Sequence, residues 1–450
     1  MGTFTVRTEV NASADELFAW HARPGAFERL VPPWERVRVV ERTGGLEDGA
    51  RVVLEMRLGP LPVRWTAVHR DVVAGRQFVD EQEGGPFRAW RHTHRMIPAG
   101  PERSTLEDHV EFELPLGPVG RLAEPWAVRR RLARTFRYRH EVTRADVEAH
   151  RAAAHAGRLR VAVTGATGLV GARLVPFLTT GGHEVVRLVR GEGWNPATGE
   201  IDGAIGGSLD AVVHLAGAGI ADRRWSAAWK REIRESRVGP TRRLCERLAG
   251  LERRPKVLVC ASAIGLYGDR GDEPLTEASP AGTGFLPEVC VEWEQATAPA
   301  REAGIRVVNL RIGIVLSPAG GALLPMLRPF RAGLGGRLGS GRQVMSWVGI
   351  DDVVGAIHHA LCTPALQGPV NATAPQPVTN AAFTATLARV LTRPALLPVP
   401  GAALRLAFGE MAGPLLLGGQ RVLPRRLLDA GYAFRHGELE PALRHLLGRA

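Results

Sequence analysis

The sequence predicts an α/β doubly wound parallel sheet in its C-terminal two thirds, joined to an N-terminal α+β domain with an antiparallel sheet and one long helix. Three observations carry this expectation. The stretch RLRVAVTGATGLVG, Arg158–Gly171, sets a glycine-rich turn between an apolar strand and the start of a helix. After it, short and nearly continuous apolar runs alternate with helical patterns, as strands buried on both faces of a parallel sheet do. Before it, the strands alternate apolar and polar residues, as sheets with one wet face do.

In chain order, FTVRTEV and RVVLEMRL alternate as half-buried strands, and SADELFAWHARP reads as a helix capped by Ser13. Further alternation in RWTAVHRDV, RAWRHTHRMI and STLEDHVEFEL completes a strand-rich middle. A helix then runs from about Gly120 to a stop at Gly157, with Val128, Leu132 and Phe136 on one face and arginines on the other. His92 and His94 share a strand face with Trp90. They read as packing or cavity-lining residues, because a metal would need a third ligand and nothing selects His69 or His109; no metal is expected.

The segments DEQEGGPFRAWRHTHRM and LEDHVEFELPLGPVG resemble the START-like, polyketide-cyclase-like ligand-binding domains over about residues 1–150. That resemblance implies a helix-grip fold whose sheet and last helix enclose an apolar cavity, and hence an apolar ligand. The expected division is 1–157 for this domain, 158–395 for the nucleotide-binding domain and 396–450 for a C-terminal segment.

Beyond Gly157 the apolar runs are RVAVTG, EVVRLVR, DAVVHLAG, KVLVCAS and RVVNLRIGIVL. Gly165, Gly168 and Gly171 form GxxGxxG at the first strand–helix junction. The first glycine permits a tight turn, the second lets backbone approach a pyrophosphate, and the third allows close helix packing. The candidate cofactor contacts are Gly165, Thr167, Gly168, Leu169, Val170 and Gly171, with Ala216 and Gly217 after a later strand. The second strand ends with Arg187 and Arg190 and meets no acid until Glu192. An acid there binds the ribose hydroxyls of NAD whereas arginine accepts the 2′-phosphate of NADP, so NADP is expected ahead of NAD, with Arg190 the better placed; an ordinary surface arginine is the alternative.

HLAGAGIADRRWS, ASAIGLYGDRGD, NLRIGIVLSPAGG, GLGGRLGSGRQVMSWVGIDDVV and LGGQRVLPRRLLDAGYAF resemble the atypical, epimerase-like branch of the short-chain dehydrogenase/reductase superfamily. The resemblance spans nearly all of residues 158–450 and implies an NADP-binding Rossmann domain with a small C-terminal substrate-binding portion. The superfamily's YxxxK pair is absent: the three tyrosines are Tyr138, Tyr267 and Tyr432, and neither Lys230 nor Lys256 follows one at that spacing. In FLPEVCVEWE the motif positions carry Leu286, Cys290 and Glu294. The catalytic candidates are Ser262, able to bond a substrate oxygen, and Tyr267, either an acid/base or a pocket-shaping residue. Cys290 as a nucleophile would need a partner stabilising its thiolate. Asp351 and Asp352 read as a helix cap. Arg311 and Arg342 hold an anionic substrate group or serve as ion-pair partners.

Composition narrows the classes. The 450 residues, 45% hydrophobic and 23% charged, fit two or three globular domains. Cys245, Cys260, Cys290 and Cys362 are scattered, which argues against a disulfide framework or a zinc site. No secretory signal pattern or membrane-spanning run is read, so a cytoplasmic location is expected. The +12 net charge is diffuse arginine without a nucleic-acid-binding motif, and no nucleic-acid partner is expected. Two functional classes stay open: an NADP-dependent oxidoreductase or epimerase-like enzyme with unusual acid/base groups, and a catalytically weak NADP-bound sensor or carrier of a hydrophobic ligand.

Overall fold

The computed structural model describes residues 1–58, 61–115, 128–202 and 208–449. It divides into two compact units: Met1–Ala154 with Thr179–Gly182 and Leu447–Ala450, and His155–Leu178 with His183–Leu446.

The first unit is a seven-stranded antiparallel sheet in the order β1-β7-β6-β5-β4-β3-β2. Its strands are β1 (Gly2–Val10), β2 (Val37–Thr43), β3 (Arg51–Leu58), β4 (Leu61–Val73), β5 (Gln77–Gly84), β6 (Ala89–Pro98) and β7 (Ser104–Glu113). Ser13 caps the Ala14–Ala22 helix by accepting from Glu16 N at 3.2 Å. The long helix spans Arg129–Ala152 and buries Leu132, Phe136, Val142 and Val147; the expected start near Gly120 lies outside the described residues. β2 and β5 are strands that the alternation rule does not single out. VRVVERT is an exposed edge strand, and QFVDEQEG mixes acids with its inward residues.

The inner face of this sheet is apolar at both ends. One cluster holds Leu17, Trp20, Phe78, Met96, Leu106 and Val147, and the other Val110, Phe112, Leu132 and Phe136. Between them the interior is polar, and it holds His92 and His94, which the sequence reading gave as packing or cavity-lining residues. His92, His94, Asp108 and His140 are all buried there. Arg29 and Asp146 form a fully buried bidentate pair, Nε–Oδ2 2.6 Å and Nη2–Oδ1 2.8 Å. Such a pair survives burial because each charge has its own hydrogen-bonded counter-charge.

The second unit is built on a seven-stranded parallel sheet in the order β10-β9-β8-β11-β12-β14-β19. Its strands are β8 (Arg160–Thr164), β9 (Glu184–Arg190), β10 (Gly193–Trp194), β11 (Ala211–His214), β12 (Val257–Ala263), β14 (Arg306–Ile312) and β19 (Gly368–Ala372). β11 is buried along its whole length and β12 over its first six residues, as strands covered on both faces must be. The strand order runs outward from β8 in one direction and from β11 in the other. The sheet therefore has a topological switch point between those two strands, where α/β folds bind their ligands. Small accessory pairs complete the unit: β13 (Pro274–Leu275) with β21 (Arg421–Val422), β15 (Ile314–Ser317) with β16 (Gly320–Gly321) and β18 (Trp347–Gly349), and β17 (Val344–Met345) with β20 (Val378–Thr379). All four cysteines are free and buried. Among the described residues, no helix is long and apolar enough to cross a membrane.

Candidate functional site

The switch point is assembled from backbone. β8 ends at Thr164, Gly165 turns with φ +66°, and the helix Gly171–Thr180 begins six residues later. A Cβ on Gly165 would lie 2.8 Å from Leu215 C and 2.9 Å from Ala216 N, so the β8 turn and the segment after β11 touch. A Cβ on Gly171 would run into the Gly165 carbonyl oxygen and sit 2.7 Å from Ala166 Cα. Gly168 differs: its nearest protein neighbour would be Gly165 O at 3.3 Å, and its own N–H donates to that carbonyl at 3.0 Å. Thr167 and Gly168 are exposed, while Leu169 and Val170 are half-buried and Leu169 packs over Gly320 and Gly321.

A hydrogen-bonded chain fixes the segment carrying Ala216 and Gly217. Thr164 Oγ1 accepts from Leu215 N at 3.1 Å and Ala216 N at 3.3 Å, and lies 2.7 Å from His214 Nδ1. With both acceptances taken by N–H groups, the hydroxyl proton goes to His214 Nδ1. That leaves His214 Nε2–H to donate to Thr241 Oγ1 at 3.0 Å, which also accepts from Trp293 Nε1 at 3.0 Å. Burial holds the His214 imidazole at a pKa of about 4, and the neutral ring satisfies this network.

Arg237 is a feature the sequence did not reveal. Its buried guanidinium donates to Ala218 O at 2.7 Å and Ile233 O at 2.9 Å, and lies 5.1 Å from the centre of the Trp293 ring. A Cβ on Gly217 would be 3.3 Å from its Cζ. It thus places a cation beside the Ala216–Gly217 segment, and its charge is felt at Cys290. The signal was hidden because the position depends on a neighbouring helix and an aromatic ring rather than on a motif.

Ser262 and Tyr267 meet in one network. Ser262 Oγ donates to Glu294 Oε1 at 2.7 Å, and Arg311 grips the same carboxylate through Nε and Nη2, both at 2.8 Å. Arg311 Nη1 donates to Tyr267 Oη at 2.9 Å, and Tyr267 donates to Asn371 Oδ1 at 2.7 Å. Tyr267 is 0% exposed, and burial raises its pKa above the usual value in spite of Arg311 and Asn371. The hydroxyl is committed inside the fold, which fits the pocket-shaping alternative and leaves it badly placed to exchange a proton with a substrate. Arg311 is an ion-pair partner: burial opposes its charge, but Glu294 outweighs that and raises its pKa. Arg342 is exposed.

Leu286 and Cys290 lie together beside Gly265, whose Cβ would be 3.5 Å from Leu286 Cβ and 4.0 Å from Cys290 Sγ. Burial, reinforced by Glu294, pushes the Cys290 thiol up to about 12, so it is neither thiolate nor cation at neutral pH. Asp352 corrects the cap expectation. The Ile350–Cys362 helix has no side-chain cap; instead Asp352 accepts from Arg435 N at 2.7 Å, His436 N at 3.2 Å and Tyr432 Oη at 3.2 Å. Arg187, midway along β9, and Arg190, at its end, are exposed, and neither has an acidic partner among the described residues.

A parallel doubly wound sheet with a glycine turn at its switch point and an altered tyrosine–lysine position defines an atypical member of the short-chain dehydrogenase/reductase class, fused to an antiparallel ligand-binding-type domain. The comparisons match this architecture segment by segment. Residues 10–136 match the polyketide cyclase/dehydrase and lipid transport family, residues 161–372 the NAD dependent epimerase/dehydratase family, and residues 399–446 a domain of unknown function (DUF1731). The chain is 47% identical over 290 residues to an epimerase family protein of Mycobacterium bovis, covering 63% of this chain and 96% of that one. The chain belongs to this epimerase family. A nucleoside-diphosphate sugar epimerase from Corynebacterium glutamicum has a similar structure over 99% of this chain and 90% of its own, with a TM-score of 0.80 and 33% identity. Human epimerase family protein SDR39U1, solved with NADPH, matches 64% of this chain and 99% of its own, with a TM-score of 0.60 and 36% identity.

Proposed function

We propose that the second unit binds NADP(H) in the crevice at the ends of β8 and β11 and acts as an epimerase-family oxidoreductase that dispenses with the usual tyrosine–lysine pair. The observation that carries this reading is the Gly165–Gly171 turn. Backbone crowding forbids side chains at Gly165 and Gly171, whereas Gly168 is open on the protein side. Such a turn suits a pyrophosphate lying on backbone N–H groups at a helix start. Arg187 and Arg190, exposed and without an acidic ion-pair partner among the described residues, suit the 2′-phosphate. The NADPH seen in the human relative supports the same choice.

When bound, the nicotinamide supplies hydride. The protein's own part is binding and orientation: Thr164 and His214 fix the Ala216–Gly217 backbone, and Arg237 places a cation beside it. Leu286 has no proton to exchange and Cys290 stays a neutral thiol, so neither replaces the missing pair. Ser262, buried and with its hydroxyl proton given to Glu294, is the proposed acceptor for a substrate hydroxyl, with Tyr267 holding that network from behind. The buried thiols fit a cytoplasmic setting.

The commitment of Tyr267 favours a second reading, an NADP-bound protein of low turnover whose first unit senses or carries a hydrophobic ligand. Titration of NADPH and NADH by fluorescence tests the cofactor. Arg190→Asp is expected to weaken NADPH binding by about tenfold or more, the loss of one charge-assisted contact, while leaving NADH nearly unchanged. An unchanged ratio removes Arg190 from the site. NADPH oxidation against a panel of carbonyl compounds and nucleotide sugars separates the two readings. Turnover that Ser262→Ala abolishes supports the enzyme, and tight binding with no oxidation supports the carrier.

A further inference from the structure

We infer that Asp80, His92 and His94 form a binding site in the first unit for one divalent first-row transition-metal ion. The three lie on adjacent strands of the sheet, and the pairing sets them on one face: Asp80 is opposite His92 across β5 and β6, and Asp108 is opposite His94 across β6 and β7. One potential ligand atom from each of Asp80, His92 and His94 lies within 4.8 Å of the other two. Asp80 Oδ2 is 3.2 Å from His94 Nε2 and 3.8 Å from His92 Nδ1. Ligands around a metal with bonds of about 2.0–2.1 Å stand roughly 3.0–3.4 Å apart, so the Asp80–His94 edge already has that length, the Asp80–His92 edge must shorten, and the His92–His94 edge lies within 4.8 Å.

The hydrogen bonds behind the histidines point the same way. His92 Nε2 is 2.9 Å from Asp108 Oδ1, and a carboxylate accepts, so the ring proton sits on Nε2. Nδ1 then presents a lone pair toward the Asp80 carboxylate at a distance too long for a hydrogen bond. His92 is 2% exposed. His94 lies between the two acids, Nδ1 2.7 Å from Asp108 Oδ1 and Nε2 3.2 Å from Asp80 Oδ2, so without an ion its imidazolium supplies the positive charge here, and a bound ion would take the place of its Nε2 proton. Asp108 supplies the outer carboxylate that metal-bound histidines use to fix tautomer and ring orientation. Its other oxygen is held by His140 Nε2 at 2.7 Å, whose Nδ1 is bonded to Thr8 Oγ1 at 2.9 Å. Phe78 stacks on His94, with ring centres 4.1 Å apart and planes at 17°, which fixes that ring as well.

Access is from the β4–β5 side, where the Asp80 side chain keeps 28% of its surface and His69 19%. Two nitrogens and one carboxylate oxygen form the donor set of a first-row metal with open coordination positions. The third ligand escaped the sequence reading because Asp80 joins the histidines only through strand register. His109, one of the two residues then weighed, pairs instead with Thr5 Oγ1 in an exposed position.

Titration of Co²⁺ into the untagged, chelator-treated full chain, followed by its ligand-field absorption and by calorimetry, tests the inference. One ion per chain is expected, with affinity weakened at least about tenfold in both Asp80→Asn and His92→Gln. His109→Gln should bind as the parent does. Circular dichroism confirms that each variant is folded, and Asp80→Glu, which keeps a carboxylate, should restore part of the affinity if Asp80→Asn loses it. Absence of stoichiometric binding, or binding indifferent to Asp80→Asn and His92→Gln in folded protein, overturns the site.

Discussion

Alanine at Gly168 and at Gly171 should have opposite consequences, although the residues stand three apart in one turn. At Gly171 the added Cβ meets backbone: the Gly165 carbonyl oxygen, and Ala166 Cα and C at 2.7 and 2.9 Å. These atoms belong to the turn itself and cannot rotate away as a flexible side chain would. Relief requires moving the helix start away from β8, an overpacking cost of about 1–3 kcal/mol. At Gly168 the single close atom is Gly165 O at 3.3 Å, which a shift of a few tenths of an ångström accommodates. Gly168→Ala should therefore leave stability within about 0.5 kcal/mol of the parent. Its methyl group projects where the pyrophosphate is proposed to lie, so NADPH affinity should fall by about tenfold or more. Chemical denaturation without cofactor gives the stabilities, and fluorescence titration gives the affinities. Parent-like NADPH binding by Gly168→Ala, or equal stability losses in the two variants, would refute this division of labour.

Two further outcomes follow from buried groups. His214 is held near pKa 4 by burial, below the ordinary value of 6.5, so the unfolded chain binds the extra proton between those pH values. Its contribution is complete above about pH 6.5 and is lost as pH falls toward 4, about 3 kcal/mol in all, a loss that denaturation of His214→Gln at matched pH should not show. Asp146→Ala removes the bidentate counter-charge of the buried Arg29 and should destabilise the first unit by about 3–5 kcal/mol, whereas Arg29→Met with Asp146→Leu should recover most of that in the same denaturation assay.

What could be read from the sequence follows from which interactions are local. The strand–glycine–helix junction and the buried parallel runs were legible because periodicity and turn chemistry act within a few residues. So was the missing tyrosine–lysine pair, since spacing alone exposes it. Val37–Thr43 was not legible, because an exposed edge strand has no buried face to imprint on the sequence. Asp80 and Asp108 join His92 and His94 by register across three strands, information that no single segment holds. Tyr267 was visible as a residue but not as a committed hydroxyl, since Asn371 lies 104 residues away. Asp352 was misjudged as a cap for the same reason: a helix-opening acid is explained locally by its own helix, while Asp352 accepts from backbone 83 and 84 residues on.

That last contact bears on the order of events during synthesis. The second unit closes on its own late residues: Pro274 pairs with Arg421, Gly419 N donates to Asp269 Oδ1 across 150 residues, and Asn371 Nδ2 donates to Leu423 O. A ribosome completes the glycine turn and most of the parallel sheet long before it makes Arg421–His436. Until then Asp352, Asn371 and the β13 edge lack the partners that satisfy them in the finished fold. Contacts of such sequence separation slow folding and leave a nascent intermediate with unpaired polar groups. The early sheet should therefore form a crevice that tightens only when the last segment docks, making the C-terminal segment the pacemaker of the unit's maturation.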